Sequence, residues 1–133
     1  QDTTLPKILM SAGTVACAFS INMTFKASMS EKFEAPAFPK GRRHPRYHAF
    51  RGGSLAVAVV AALNMGIHAP TAAKNSTLWN MLAVLATGYF GGWWFPKPLL
   101  GLKTPSWMAE SVHIVAAGGC CSALLLAAPA FHR

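Results

Sequence analysis

Four long runs of apolar residues, separated by short polar segments, dominate the chain. They cover residues 8–25, 52–69, 78–95 and 107–128, and each is close to the roughly 17–25 residues with which a helix crosses a bilayer core of about 30 Å. A helix forms its backbone hydrogen bonds internally, whereas hydrocarbon offers no partners for backbone N–H and C=O groups. The pattern predicts an all-α fold, an integral membrane four-helix bundle with short loops that forms a single membrane domain over residues 1–133.

The residues that flank these runs are those expected at the ends of membrane-spanning helices. Lys7 and Lys26 bracket the first run, where their long side chains can reach the headgroups. Trp79 at one end of the third run, with Trp93 and Trp94 at the other, is typical of the aromatic belts at the two membrane interfaces. The third run therefore has the clearest flanks of the four.

Prolines and a threonine predict where the second and fourth helices begin and end. Pro70 stops the second run. Thr104 is a suitable cap for the fourth helix, and Pro105 suits its first turn. Pro129 is expected just past the end of that helix.

The composition favours lipid over water as the solvent of the chain. Hydrophobic residues make up 53% of the sequence and charged residues 12%, and the mean hydropathy is +0.33. A soluble bundle would need a charged face on each helix. The four runs together hold a single carboxylate, Glu110, so a soluble bundle is disfavoured.

The net charge of +8 is concentrated in two segments. The loop 26–51 and the segment between the third and fourth runs hold nine of the twelve basic residues: Lys26, Lys32, Lys40, Arg42, Arg43, Arg46, Arg51, Lys97 and Lys103. In a four-span chain both segments face the cytoplasm, stroma or matrix, and both termini lie opposite them. Gln1 in place of Met suggests a removed targeting peptide, although a sequence that begins within a longer chain would look the same. The expected location is an organellar membrane, either the mitochondrial inner membrane or the thylakoid.

The basic loop 26–51 is the most distinctive segment of the chain. Its prolines Pro36, Pro39 and Pro45 oppose a regular helix. The candidate partner- or lipid-binding residues in it are Arg42, Arg43, Arg46, Tyr47, His48 and Arg51. The stretch from Lys40 to Arg51 would dock on an acidic partner subunit or on anionic lipid, and a plain topology signal is the alternative. No nucleic-acid partner is expected, because so short a patch offers little room for one.

Glu110 and His113 form an E-x-x-H motif on one face of the fourth predicted helix. Di-iron bundles need this motif twice, and the chain has no second copy. The motif is either an interfacial Glu beside a His, or a site for proton handling or for ligating a pigment or haem. His68 is a third candidate ligand-binding residue and is expected at the interface.

Patterns that carry other chemistry are absent from the sequence. Cys17, Cys120 and Cys121 lie in apolar runs without C-x-x-C spacing, which is typical of small packing residues, so no metal site is expected. P-loop, G-x-S-x-G and H-E-x-x-H motifs are missing, and no catalytic residue is assigned. Close helix packing is predicted by small residues at four-residue spacing: Gly52 and Ala56, Ala58 and Ala62, Gly88 and Gly92, Gly118 and Ser122, Gly119 and Ala123.

Three short motifs resemble those of the small four-helix DoxX-like membrane proteins. They are F-R-G-G at residues 50–53, G-Y-F-G-G at residues 88–92, and a Glu, Glu110, that opens the last run. The resemblance implies the four-helix fold and assigns no functional residue. In type, the short, basic, multi-span chain is similar to the supernumerary subunits of organellar respiratory or photosynthetic complexes.

These features favour a non-catalytic accessory subunit of a large energy-converting membrane complex. Such a subunit would bind neighbouring subunits and lipids and would need no cofactor of its own. The alternative is a small carrier or redox-linked protein that holds a quinone between its helices, with Glu110, His113, Asn80 or Asn64 as polar contacts. A third alternative is a pigment ligated by His113 or His68.

Overall fold

A computed structural model describes residues 2–35, 37, 41–102, 104 and 106–132 of the chain. The helices in these residues are α1 (Thr4–Met29), α2 (His44–His68), α3 (Ser76–Trp94), α4 (Pro96–Leu100) and α5 (Trp107–Phe131), with a 3-10 turn at Thr71–Ala73. No strand occurs within that described part. Predictions that rest on Gln1, Pro36, Pro39, Lys40, Lys103, Pro105 and Arg133 lie outside the described residues.

Three of the helices, α1, α2 and α5, are long and apolar enough to cross a membrane. α3 covers the third apolar run but is not among them. Its 19 residues include Asn80, three glycines, three tryptophans and a tyrosine, so no long stretch of it reaches the hydropathy expected of a membrane span. The run with the clearest aromatic flanks therefore has the weakest support from length and composition, and its membrane crossing stays a prediction.

The predicted loop 26–51 is shorter than the sequence pattern indicates. α1 continues to Met29, and α2 begins at His44 rather than at residue 52. Pro45, which was expected to oppose a helix, lies in the first turn of α2. A helix leaves the first N–H groups unpaired, so the missing N–H of Pro45 removes no hydrogen bond. Arg46, Tyr47, His48 and Arg51 are consequently helical residues.

Both ends of α5 differ from the prediction. The cap is Ser106, whose Oγ accepts a hydrogen bond from the Ala109 N–H at 3.2 Å, and Thr104 has another partner described below. Pro129 lies inside the helix rather than beyond it. Because α5 ends two residues later, at Phe131, the proline interrupts only the last turn.

The helices form a bundle in which α1 packs between α5 and α2, while α3 packs on α2 and α5. At one end of the bundle, Arg46 at the start of α2 donates to the Ser28 carbonyl at the end of α1, and Ser20 of α1 contacts His113 near the start of α5. At the other end, Ser76 at the start of α3 contacts His132 just after α5. The two basic segments of the described chain therefore lie at the same end of the bundle.

The backbones of α1 and α5 approach each other closely at Gly13 and Gly119. A Cβ atom on Gly13 would lie 2.8 Å from the Cys120 nitrogen, and one on Gly119 would lie 2.9 Å from the Gly13 Cα. Cys17 and Cys120 are fully buried at this contact between α1 and α5. This position agrees with the prediction that the cysteines are small packing residues.

We expect the substitution Gly119→Ala to lower the thermal unfolding midpoint of the purified protein in detergent. The added methyl group meets backbone atoms that have no side-chain freedom, and such overpacking typically costs about 1–3 kcal/mol. Gly118→Ala is the matched control, because nothing lies within 4 Å of a Cβ at Gly118 and alanine favours a helix. Equal midpoints for the two variants would contradict the close backbone contact between α1 and α5 at Gly119.

Candidate functional site

The basic end of the bundle is organised around one buried carboxylate. The Glu34 side chain is only 8% exposed and forms salt bridges with Arg42 Nε at 2.5 Å and with Arg46 Nη1 at 3.4 Å. Arg43 Nε lies 3.9 Å away and its side chain is 83% exposed, so its pairing is weak. Part of the positive charge predicted for partner binding is therefore neutralised within the chain.

Arg46 also closes the end of α1. Its Nε donates to the Ser28 carbonyl at 2.8 Å, and its Nη2 donates to the Met29 carbonyl at 3.2 Å. The last carbonyls of a helix lack intrahelical partners and carry partial negative charge, so a guanidinium satisfies them well. Arg46 joins α1, Glu34 and α2, and we assign it to folding rather than to partner binding.

The first two turns of α2 expose an aromatic and basic face. Tyr47, His48 and Arg51 lie on it as predicted residues, and the structure adds His44, which the sequence reasoning did not select. The His44 and His48 Nε2 atoms are 2.7 Å apart, and the Arg51 guanidinium lies 5.6 Å from the Tyr47 ring centroid. The missed signal was the four-residue spacing of the two histidines, which has meaning only if the segment is helical.

Glu110 and His113 share a face of α5, as the motif predicts, but each has its own partners. Glu110 accepts a hydrogen bond from the Thr104 hydroxyl at 2.6 Å and another from the Trp94 indole N–H at 3.3 Å. The carboxylate is held where the chain enters α5, beside a cavity of about 320 Å³ that Lys97 and Trp107 also line. Glu110 thus anchors the end of α3 and the α4–α5 connection to α5.

His113 lies between α1 and α3. Its Nε2 is 3.4 Å from the Ser20 Oγ, and its ring stacks on Trp93 with centroids 4.1 Å apart. The other ring nitrogen, Nδ1, is buried and has no hydrogen-bond partner. Because a buried polar atom without a partner is unfavourable, it marks a place where a ligand atom or a water would be stabilising.

A cavity of about 580 Å³ lies beside His113. Its wall is mostly apolar, with a few polar groups, and is formed by Ser20, Ile21, Thr24, Gly52, Leu55, Ala56, Val59, Val84, Leu85, Gly88, Tyr89, Trp93 and His113. Nothing lies within 4 Å of a Cβ at Gly52 or Gly88, so the absence of side chains there keeps the cavity wide. Its size and lining fit a small lipophilic molecule.

Other predicted polar contacts are not brought to this cavity. His68 is exposed at the last residue of α2, at the opposite end from Arg46 and His44. Asn64 donates to the Thr14 hydroxyl at 2.6 Å and links α2 to α1. Asn80 is exposed on α3. His68, Asn64 and Asn80 therefore do not form one site with His113, because helix rotation points them elsewhere.

The tryptophans predicted for two interfacial belts lie at the ends of α3 but turn partly into the bundle. The Trp79 indole N–H donates to the Leu124 carbonyl at 3.4 Å, and Trp93 and Trp94 contact α5 as described above. Trp107 is the tryptophan with a largely free ring, at 81% exposed. The aromatic ends of α3 thus attach it to α5.

No known family model, curated protein or solved structure matches this chain. The resemblance to DoxX-like proteins therefore stays a prediction, and the functional proposals below rest on the geometry of the chain itself.

Proposed function

We propose that this chain is a non-catalytic accessory subunit of a large organellar membrane complex. In this proposal α1, α2, α3 and α5 all cross the membrane, and the chain binds neighbouring subunits and lipids. Large apolar side chains on the outer surfaces of the helices, such as Val15, Met65 and Leu125, support a lipid or protein environment because water would solvate them poorly.

The outer face of α3 is the observation that carries the proposal. Asn80, Thr87 and Gly92 are exposed on it, and nothing lies within 4 Å of a Cβ at Gly92. Hydrocarbon solvates an amide and bare helix backbone poorly, whereas a partner helix can approach glycines closely and accept hydrogen bonds from the amide. A helix that exposes such residues is better covered by protein than by lipid.

The exposed start of α2 supports a second contact on the same partner or on its lipids. Tyr47 and Arg51 are exposed there, and Arg42 and Arg43 remain mostly exposed beside Glu34. Arginine and tyrosine make good anchors because they combine broad contact area with hydrogen bonding. Each basic residue near an anionic membrane surface contributes about 1 kcal/mol of attraction.

We expect wild-type chain to migrate with a larger complex on a native gel of mildly solubilised membranes. Gly92→Leu should release it, because a bulky side chain separates the helices at the close-approach face of α3. Gly118→Leu is the matched control, since Gly118 is also exposed with nothing nearby but lies on α5. A wild-type chain that runs as a stable monomer, or a Gly92→Leu variant that stays in the complex, would refute the proposal.

Four crossings also predict that both termini lie on the same side of the membrane. Single thiols introduced by Asp2→Cys and His132→Cys should react with a membrane-impermeant maleimide from one side, and Ala37→Cys from the other. Cys17 and Cys120 are buried, and the partly exposed Cys121 lies in the middle of α5, which a membrane-impermeant reagent does not reach if α5 crosses the membrane, so background labelling should be low. If α3 does not cross, only three crossings remain and the two termini will be labelled from opposite sides.

A second candidate function is supported by the cavity beside His113. A quinone fits its mostly apolar wall, and a quinone carbonyl could accept a hydrogen bond from the unpartnered Nδ1 if that nitrogen carries the proton. This function is the small carrier or redox-linked protein that the sequence offers as an alternative. Of the polar contacts named for it there, His113 is the one that lines the cavity. Pigment binding requires the same cavity and the same residue.

If the cavity binds a lipophilic ligand, we expect Gly52→Leu to remove that ligand from the native complex. The leucine side chain would project into the cavity, whereas the Gly118→Leu control leaves it open. Quinone can be measured by solvent extraction and mass spectrometry, and pigment by the visible absorption spectrum. Equal ligand content in the wild-type and Gly52→Leu complexes would exclude this function for the cavity, while leaving the accessory role intact.

A further inference from the structure

The functions proposed above do not require His44 and His48 to act as a pair, although His48 is one of the residues predicted to contact a partner or lipid. The two residues are one helical turn apart at the exposed start of α2, and their Nε2 atoms face each other at 2.7 Å. We propose that this pair binds a late first-row divalent transition-metal ion, such as Cu²⁺ or Zn²⁺, through the two Nε2 atoms.

The distance between the two nitrogens is close to what a shared metal ion requires. Metal–imidazole bonds of about 2.0–2.1 Å, meeting at an angle of about 90° to 109°, place two nitrogens about 2.9–3.3 Å apart. Opening the observed 2.7 Å contact by a few tenths of an ångström needs only small rotations of two exposed side chains. The ion would replace the hydrogen bond between the rings, with both rings then protonated on Nδ1.

Tyr47 holds the two rings near this geometry. Its ring is stacked against His44, with centroids 6.1 Å apart, and meets His48 edge-on at 5.6 Å. The Arg51 guanidinium also lies over the Tyr47 ring, 5.6 Å from its centroid. Because the rings are already oriented, less side-chain entropy is lost when an ion binds.

The charges around the pair limit its affinity without removing the site. Arg43 and Arg46 are the nearest basic residues along the chain, and Arg46 pairs with Glu34 whereas Arg43 does so only weakly. Arg51 follows His48 by three residues and lies beside Tyr47. Among the described residues no third His, Cys, Asp or Glu completes a metal cluster with the pair. The ion would therefore keep water in its other positions, leaving them open to a ligand from a partner subunit, and would bind more weakly than a closed structural site.

The identity of the ion follows from the ligand type. Imidazole suits copper, nickel and zinc, and for a given nitrogen site the affinity follows the order Cu²⁺ above Ni²⁺ and Zn²⁺. Mg²⁺ prefers oxygen ligands and should not bind. Protons compete for the same nitrogens, so binding should weaken as the pH falls.

The test is titration of the full chain, purified in detergent without a polyhistidine tag, with Cu²⁺ and Zn²⁺ by calorimetry. His44→Gln and His48→Gln should each weaken binding at least about tenfold, a loss of about 1.4 kcal/mol. His68→Gln should bind as the wild type does, because that histidine lies at the other end of α2. Copper electron paramagnetic resonance should show two nitrogen ligands in the wild type and one in either glutamine variant.

A relocated histidine supplies the sharper control. The double variant His48→Ala with Ala49→His keeps the composition but moves the second imidazole to a different face of the helix. It should bind no better than His48→Gln. Binding that is as tight in the relocated variant, or in His48→Gln, as in the wild type would overturn the proposal and leave the pair as a hydrogen bond between two rings.

Discussion

The contact between α1 and α5 at Gly13 and Gly119 determines how the rest of the bundle is arranged. Helices in lipid gain little from burying apolar surface against each other, so their association depends on close packing and on interhelical hydrogen bonds. At this crossing the two backbones touch, and any side chain larger than hydrogen would separate them. The crossing also brings Ser20 of α1 beside His113 of α5, which sets the position of the candidate ligand site.

α3 is attached in a different way. Leu82, Ala86 and Phe90 bury one face of it, and the tryptophans at its ends contact α5 through a hydrogen bond or a ring stack. Between these contacts α2 and α3 leave the cavity that Gly52 and Gly88 keep open. The same helix exposes Asn80, Thr87 and Gly92, so α3 both borders the cavity and carries the proposed partner surface.

At the basic end of the bundle, charge is divided between folding and recognition. Glu34 and Arg46 are used internally, because the carboxylate is buried and the guanidinium also satisfies the last carbonyls of α1. Tyr47 and His48 remain on the surface, next to an exposed Arg51. A positive patch read from the sequence alone therefore overstates the charge available to a partner or to lipid headgroups.

The sequence by itself determined the helical class and the four apolar runs, because hydropathy and run length depend only on neighbouring residues. It also placed Glu110 and His113 on one helix face, since that follows from a three-residue spacing. Whether α3 crosses the membrane could not be settled in this way, because its aromatic flanks and its hydropathy point in opposite directions.

The tertiary structure decided which polar residues meet. Helix rotation and the α1–α5 crossing direct His113 to Trp93 and the cavity, while Asn64 pairs with Thr14 and His68 is left at the far end. The helical start of α2 also made neighbours of His44 and His48, which a loop would have separated. Such meetings depend on contacts between residues far apart in the chain or on where a helix begins, and local sequence patterns do not contain that information.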